Sequence, residues 1–213
     1  MKILTKDKKG VLIVISAFGG AGKGTIIKEL IKDEHTILSV SATSRVPRPD
    51  DEEGVTYFFK TREEFENMIR GNELLEWVEF CGNYYGTPRS YIEDKLLANE
   101  NVILELEEVG AIKVKEMYKD AVLIFILPPN MNELISRLKK RGENDEYISK
   151  RLKKSIDEAE LIKHYEYVVV NDILEDTVED IKKIIYVAKS KVAKNQKLID
   201  DIKEELKNVT TII

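Results

Sequence analysis

The chain is poor in cysteine and histidine: Cys81 stands alone among 213 residues, and His35 and His164 are the only histidines. One thiol makes no internal disulfide, and this sparse set holds no structural zinc. A reducing, cytoplasmic setting is the expectation. Long apolar runs are also missing. The first run, Val11 to Ile15, follows a charged MKILTKDKKG start and falls far short of the roughly 20 residues that span a bilayer. It is too short for a signal peptide as well, so neither a membrane nor a targeting segment is expected. Basic charge is not in excess. With 34 Lys and Arg against 39 Asp and Glu the formal charge is −5, which argues against nucleic acid as a partner. Repeats and low-complexity tracts are absent. What remains is the composition of a soluble globule, 43% apolar and 34% charged, long enough for one main domain with substantial insertions.

The stretch VLIVIS at 11 to 16 is unbroken and rich in β-branched residues. A glycine-rich AFGGAGKGT follows, and then IIKELIKDE at helical spacing. That order reads as buried strand, phosphate loop and helix. Further apolar runs, VILEL at 102 to 106, AVLIFIL at 121 to 127 and VVV at 168 to 170, alternate with helical stretches. The fold class expected is therefore α/β with a parallel sheet. Asn130 with Glu133 offers a capping-box-like start to a helix running to about Arg141.

Between Thr43 and about Lys95 the pattern shifts to short strand-like pieces such as VTYFF, a helical REEFENMIR and turn glycines. This reads as an inserted second lobe. The charged stretch from Arg137 to Arg151, around Gly142 and Asn144, predicts an exposed helix-turn-helix or, functionally, a mobile cover. Val178, Ile181, Ile185, Ala188 and Val192 recur at helical spacing, and Leu198, Ile202 and Leu206 continue in a second stretch. Both predict amphipathic helices.

Residues 19 to 25, GGAGKGT, stand between strand and helix, where successive backbone N–H groups converge on an anion at the positive helix terminus. Lys23 then reaches the outer phosphates. The pattern G-x-x-x-x-G-K-[ST] is met imperfectly, with Ala17 in place of the first glycine and Gly24 between Lys23 and Thr25. A direct hydroxyl ligand for Mg²⁺ is thus missing after the lysine, leaving the metal to water and nucleotide oxygens. In SVSATSRVPRP, Pro47 biases Val46 toward an extended conformation, so Arg45 and Arg48 either converge on one phosphate or form an ordinary surface pair.

Taken together, SVSATSRVPR, the GVTYFF after it and EFCGNYYGTPR resemble the guanylate kinase family, which phosphorylates GMP with ATP. The resemblance extends from about Gly10 to Val187, through the phosphate loop, PPNMNELISRLKKRG and VVVND. It implies a parallel-sheet P-loop kinase core at 1–42, 98–136 and 152–188. An inserted GMP-binding lobe at 43–97, a helical lid at 137–151 and a C-terminal helical extension at 189–213 complete the chain.

Residue by residue, the resemblance implies that Arg45, Arg48, Tyr57 and Tyr85 clamp the GMP phosphate, and that Ser41, Glu76 and Thr87 form the guanine pocket. Gly19, Gly20, Ala21, Gly22, Lys23, Gly24, Thr25 and Asn171 would hold ATP, with Mg²⁺ as cofactor. Lys23, Arg45, Arg137, Arg141 and Arg151 would stabilise the transferring group; a solvated basic face is the plainer reading of the region around the last three. VILELEEVGA departs from the family's L-D-x-D-x-Q-G-A: Glu105 and Glu107 replace both aspartates and Val109 the glutamine. At alternate strand positions the two glutamates share a face, with Glu105 as a second acceptor for the base and Glu107 as a water-mediated Mg²⁺ contact. Trp77 and Cys81 are expected in the core. ATP and GMP are the partners implied, with a non-catalytic phosphopeptide-binding module or a kinase of drifted acceptor as alternatives.

Overall fold

The computed structural model describes residues 9–210. The start MKILTKDK and the last three residues of the expected extension lie outside that range. Five parallel strands form the main sheet: β1 (Leu12–Ala17), β2 (Thr36–Leu38), β7 (Asn101–Glu105), β8 (Val122–Leu127) and β9 (Tyr167–Val170), in the order β2-β7-β1-β8-β9. The central strand shows why its sequence is an unbroken apolar run. Ile13 and Ile15 face one core with Ile26, Phe125 and Ile181, while Leu12 and Val14 face a second with Ile92, Leu104 and Val114. A strand covered on both faces is apolar along its length, and the single polar residue of β1, Ser16 near its end, is buried with its hydroxyl hydrogen-bonded.

Helices cover the two faces unequally. α1 (Lys23–Leu30), α5 (Met131–Lys140), α6 (Asp145–Leu161) and α7 (Leu174–Lys189) supply the first core; α3 (Arg89–Leu97) and α4 (Glu108–Met117) supply the second. α5 starts where the sequence indicates, with the Asn130 side chain accepting from the Glu133 N–H. The Glu133 carboxylate turns instead to Arg137 Nε at 2.8 Å, so the reciprocal half of the capping box is traded for an i,i+4 ion pair.

A second sheet, ordered β4-β3-β6-β5, joins β3 (Ala42–Thr43), β4 (Phe58–Phe59), β5 (Leu74–Phe80) and β6 (Asn83–Pro88), with α2 (Arg62–Arg70) against it. Its core is small: Ala42, Phe65, Leu74 and Tyr84. Of VTYFF only Phe58 and Phe59 are strand, with Tyr57 in an isolated bridge to Glu53. Trp77 and Cys81 are not core residues. The indole is 41% exposed on the edge strand β5, and Cys81 is exposed in the β5–β6 turn with a positive φ of 49°.

Val192 likewise leaves the α7 stripe, lying 70% exposed in a 3₁₀ turn before α8 (Gln196–Thr210). Among the described residues no helix is long and apolar enough to cross a membrane.

Candidate active site

The loop after β1 needs its glycines. Gly20 and Gly22 have φ of 101° and 99°, in the left-handed region. A Cβ on Gly22 would stand 2.3 Å from the Asn171 amide nitrogen. Gly22 caps α1, and its carbonyl accepts from the N–H groups of Thr25 and Ile26. The first-turn N–H groups of Lys23 and Gly24 thus have no carbonyl within the helix, the arrangement that accepts an anion.

Two side chains fasten this loop from elsewhere. Asn171 is buried and donates through Nδ2 to the Ala21 carbonyl at 2.7 Å. Arg137 donates to the same carbonyl at 3.4 Å and to the Asn171 carbonyl at 3.0 Å. Both residues wall a cleft of 370 Å³ with Gly20, Gly22, Thr25 and Arg141. Arg151 reaches the loop from α6, where a Cβ on Gly19 would meet its Nη1 at 2.9 Å. Its fork is held by Tyr147 one turn earlier, whose hydroxyl accepts from Nε and Nη2 at 2.9 and 2.7 Å. The i,i+4 spacing of Tyr147 and Arg151 was a sequence signal for this support.

A second cleft of 380 Å³ is walled by Lys23, Ser41, Tyr57, Thr87, Glu105 and Glu107, among others. Lys23 Nζ approaches Glu105 Oε1 at 3.6 Å. Glu105 ends β7, but Glu107 is not on the strand: it is the residue before α4, so strand alternation is not what turns it to the cleft. The turn is fixed from below. The Tyr165 hydroxyl donates to Ser16 Oγ at 2.7 Å, and Ser16 donates to the Leu106 carbonyl at 2.8 Å. Leu106 and its two neighbours all wall the cleft at this turn. Glu107 pairs with Lys154 of α6 at 3.1 Å.

A third cleft, 350 Å³, adjoins the second through Ser41, Tyr57, Glu105 and Glu107 and adds Glu76, Tyr85 and Lys113. The β5–β6 register slips between Leu74 and Trp77. Leu74 and Leu75 alternate into different cores, and within the bulge Glu76 turns to Thr87. Thr87, 1% exposed, donates to Glu76 Oε1 at 2.7 Å. Burial pushes the Glu76 carboxyl above its ordinary range, against the pull of the Thr87 hydroxyl and the Lys113 charge. Tyr84 and Tyr85 part company as strand neighbours do. Tyr84 stacks on Phe65 at 5.3 Å, while Tyr85 meets Tyr57 edge-on at 6.0 Å beside the cleft.

Arg45 and Arg48 do not wall any of these clefts. Arg45 lies beside them, its guanidinium 5.5 Å from the Tyr57 ring centre, and pairs with Asp51 at 2.8 Å; Arg48 is exposed. Asp51, Lys113 and Tyr147 are site neighbours that the sequence reading missed. For Asp51 and Lys113, a charge in a charge-rich chain carries no signal of its own.

The family model described as guanylate kinase matches residues 9–188. The chain belongs to the guanylate kinase family. It is 47% identical over 189 residues to the guanylate kinase of Desulfitobacterium hafniense, covering 88% of this chain and 94% of that protein. Identity is also 47% over 200 residues with that of Caldanaerobacter subterraneus, covering 93% and 97%. Among solved structures, guanylate kinase from Anaplasma phagocytophilum superposes with a TM-score of 0.66 at 33% identity, over 88% of this chain and 90% of that one. Relatives this similar over most of both chains support guanylate kinase function, that of an ATP-dependent nucleoside monophosphate kinase.

Proposed function

We propose that this family member transfers the γ-phosphoryl group of ATP to GMP or dGMP, giving ADP and GDP or dGDP in the cytoplasm. The observation that carries the reading is Lys23: it stands at the start of α1 on the phosphate loop and also walls the cleft shared by Ser41, Tyr57, Thr87 and Glu105. Donor phosphates on the loop and an acceptor in the cleft then meet at one ammonium group. An oxygen of the acceptor phosphate attacks the γ-phosphorus in line, and the bond to the β-bridging oxygen breaks with its electron pair leaving on ADP. The acceptor oxygen is already anionic, so no general base is required. Catalysis consists of alignment and charge neutralisation.

Glu76 would accept from guanine N1–H and the amino group, with Ser41 and Thr87 beside it and Glu105 as a second acceptor. Arg45, Arg48, Tyr57 and Tyr85 would take the acceptor phosphate. Lys23, Arg137, Arg141 and Arg151 would offset charge on the transferring group, and closure of 137–151 over the core and of the 43–97 lobe toward it would exclude water. Asn171 would flank the adenine.

The donor chemistry suits Mg²⁺. Glu105 and Glu107 are hard oxygen ligands on the cleft wall, while among the described residues no group of three or more metal-capable side chains forms a closed cage. That fits a cation bound by few carboxylates, water and phosphates. When bound, Mg²⁺ would supply charge neutralisation at the donor phosphates, and Glu107 would hold it through water.

The test is ADP release measured across GMP, dGMP, AMP, UMP and CMP. Strong preference for the guanine nucleotides is expected. Turnover with none of them would leave a binding module, and preference for another base would indicate a drifted acceptor.

A further inference from the structure

Asp51 sits at the centre of a closed set of hydrogen bonds. Its Oδ2 accepts from Arg45 Nη2 at 2.8 Å and from the Arg48 backbone N–H at 2.7 Å. Its own N–H donates to the Arg48 carbonyl at 3.0 Å. The Arg45 and Asp51 side chains are 14% and 9% exposed, unlike most ion pairs of this chain. Arg45 is restrained elsewhere too: Nη1 donates to the Val46 carbonyl at 3.1 Å, and its backbone N–H to Thr43 Oγ1 at 3.1 Å. Thr43 Oγ1 in turn donates to the Tyr84 carbonyl at 2.8 Å, which anchors the segment on β6.

We propose that Asp51 is a positioning residue of the acceptor-phosphate clamp, setting the Arg45 guanidinium and the Arg48 turn in one arrangement before the nucleotide arrives. This rests on the reading of Arg45 and Arg48 as that clamp. A guanidinium has five N–H donors. Val46 and Asp51 engage one donor on each terminal nitrogen, so the fork is oriented while donors remain for phosphate. The alternative role, a competitor that the phosphate must displace, would use the same ion pair with the opposite sign. Geometry favours the positioning role, because the same Asp51 oxygen also closes the Arg48 turn, a bond that phosphate on Arg45 does not replace. The Arg48 N–H and Arg45 hold the Asp51 carboxyl below its ordinary range, so the restraint persists at neutral pH. A fork ordered in advance loses less freedom on binding.

The experiment measures affinity for GMP and for guanosine, which lacks the phosphate, together with kcat and KM, on the full chain and on Asp51→Ala, because an asparagine oxygen can take the place of the one oxygen that accepts both bonds. The expected result is a rise of about tenfold or more in Kd and KM for GMP, with kcat within about threefold, since a clamp used equally in ground and transition states acts on binding alone. Guanosine affinity should not move. If Asp51→Ala fails to fold, Asp51→Ser gives the same reading: its hydroxyl stops one bond short of where Oδ2 stands, and the charge is gone. Equal loss for GMP and guanosine would reduce Asp51 to a general support of the lobe and overturn the proposal. Unchanged GMP binding, or tighter binding, would overturn it as well. A wild-type chain that binds GMP no better than guanosine would instead remove the phosphate-clamp reading beneath it.

Discussion

Replacing Glu76 by Gln tests how the base is read, because the structure fixes which oxygen changes. Thr87 donates to Oε1 at 2.7 Å, and a glutamine carbonyl accepts that bond equally well. The amide nitrogen therefore takes the place of Oε2, the oxygen that lies toward Gly110 of α4, 3.7 Å from where a Cβ there would stand. Guanine presents N1–H and amino donors, so donor then meets donor. Losing charge-assisted acceptance costs about 1.5–3 kcal/mol, and an unpaired donor in a closed pocket about 1–3 kcal/mol more. The sum, about 2.5–6 kcal/mol, corresponds to roughly 10² to somewhat over 10⁴ in kcat/KM for GMP. AMP has no donor at N1 and loses little. The assay is steady-state ADP release with GMP and AMP on both proteins. A GMP-to-AMP preference that survives the substitution would refute the assignment and make Glu105 the next residue to change.

Lys23→Ala should lower turnover by about a hundredfold or more with the circular dichroism spectrum unchanged; near-normal turnover would remove the phosphate-loop assignment. The Glu76 carboxyl titrates above its ordinary 4.5, so GMP affinity should strengthen as pH rises through that shifted value. Over the window from 4.5 to the shifted value, ligand-free stability should move the other way, because burial disfavours the charge. Glu76→Gln should flatten both curves, and a GMP titration with the same acid limb in the variant would assign the group elsewhere. Chelation with excess EDTA should abolish transfer and Mg²⁺ restore it; activity indifferent to EDTA contradicts the proposed cofactor. GMP with a non-hydrolysable ATP analogue should protect the Arg137 to Arg151 segment from proteolysis more than either ligand alone, since Arg141, Gly142 and Asn144 are exposed. Cleavage at the same rate throughout would mean a static surface.

The main sheet was readable because both of its faces are covered. VLIVIS, VILEL and AVLIFIL each became a strand within about a residue of the apolar run, as burial on both sides demands. The second sheet was less readable because its core is four residues deep in sequence terms and its edge strand β5 has one face open. Trp77 and Cys81, judged by residue type, therefore landed outside it. Glu107 shows a different failure. Alternation carried VILELE one step too far, whereas the strand ends at Glu105, the helix begins at Glu108, and Ser16 holds the Leu106 carbonyl in the turn between them. Asp51 depends on contacts that only the folded segment creates, so its partnership with Arg45 left no trace in spacing or composition.

The fastening of Ala21 by Asn171 has a consequence for how the chain is made. The two residues are 150 positions apart, and Asn171 follows β9, an edge strand of its sheet and the last in the chain. A ribosome that has released the phosphate loop must add those residues first, which takes roughly 8–30 s at the usual rate of synthesis. Until then the nascent loop lacks its last fastening. Nucleotide binding on the growing chain should accordingly appear late and abruptly, with the emergence of the final strand rather than of the loop itself.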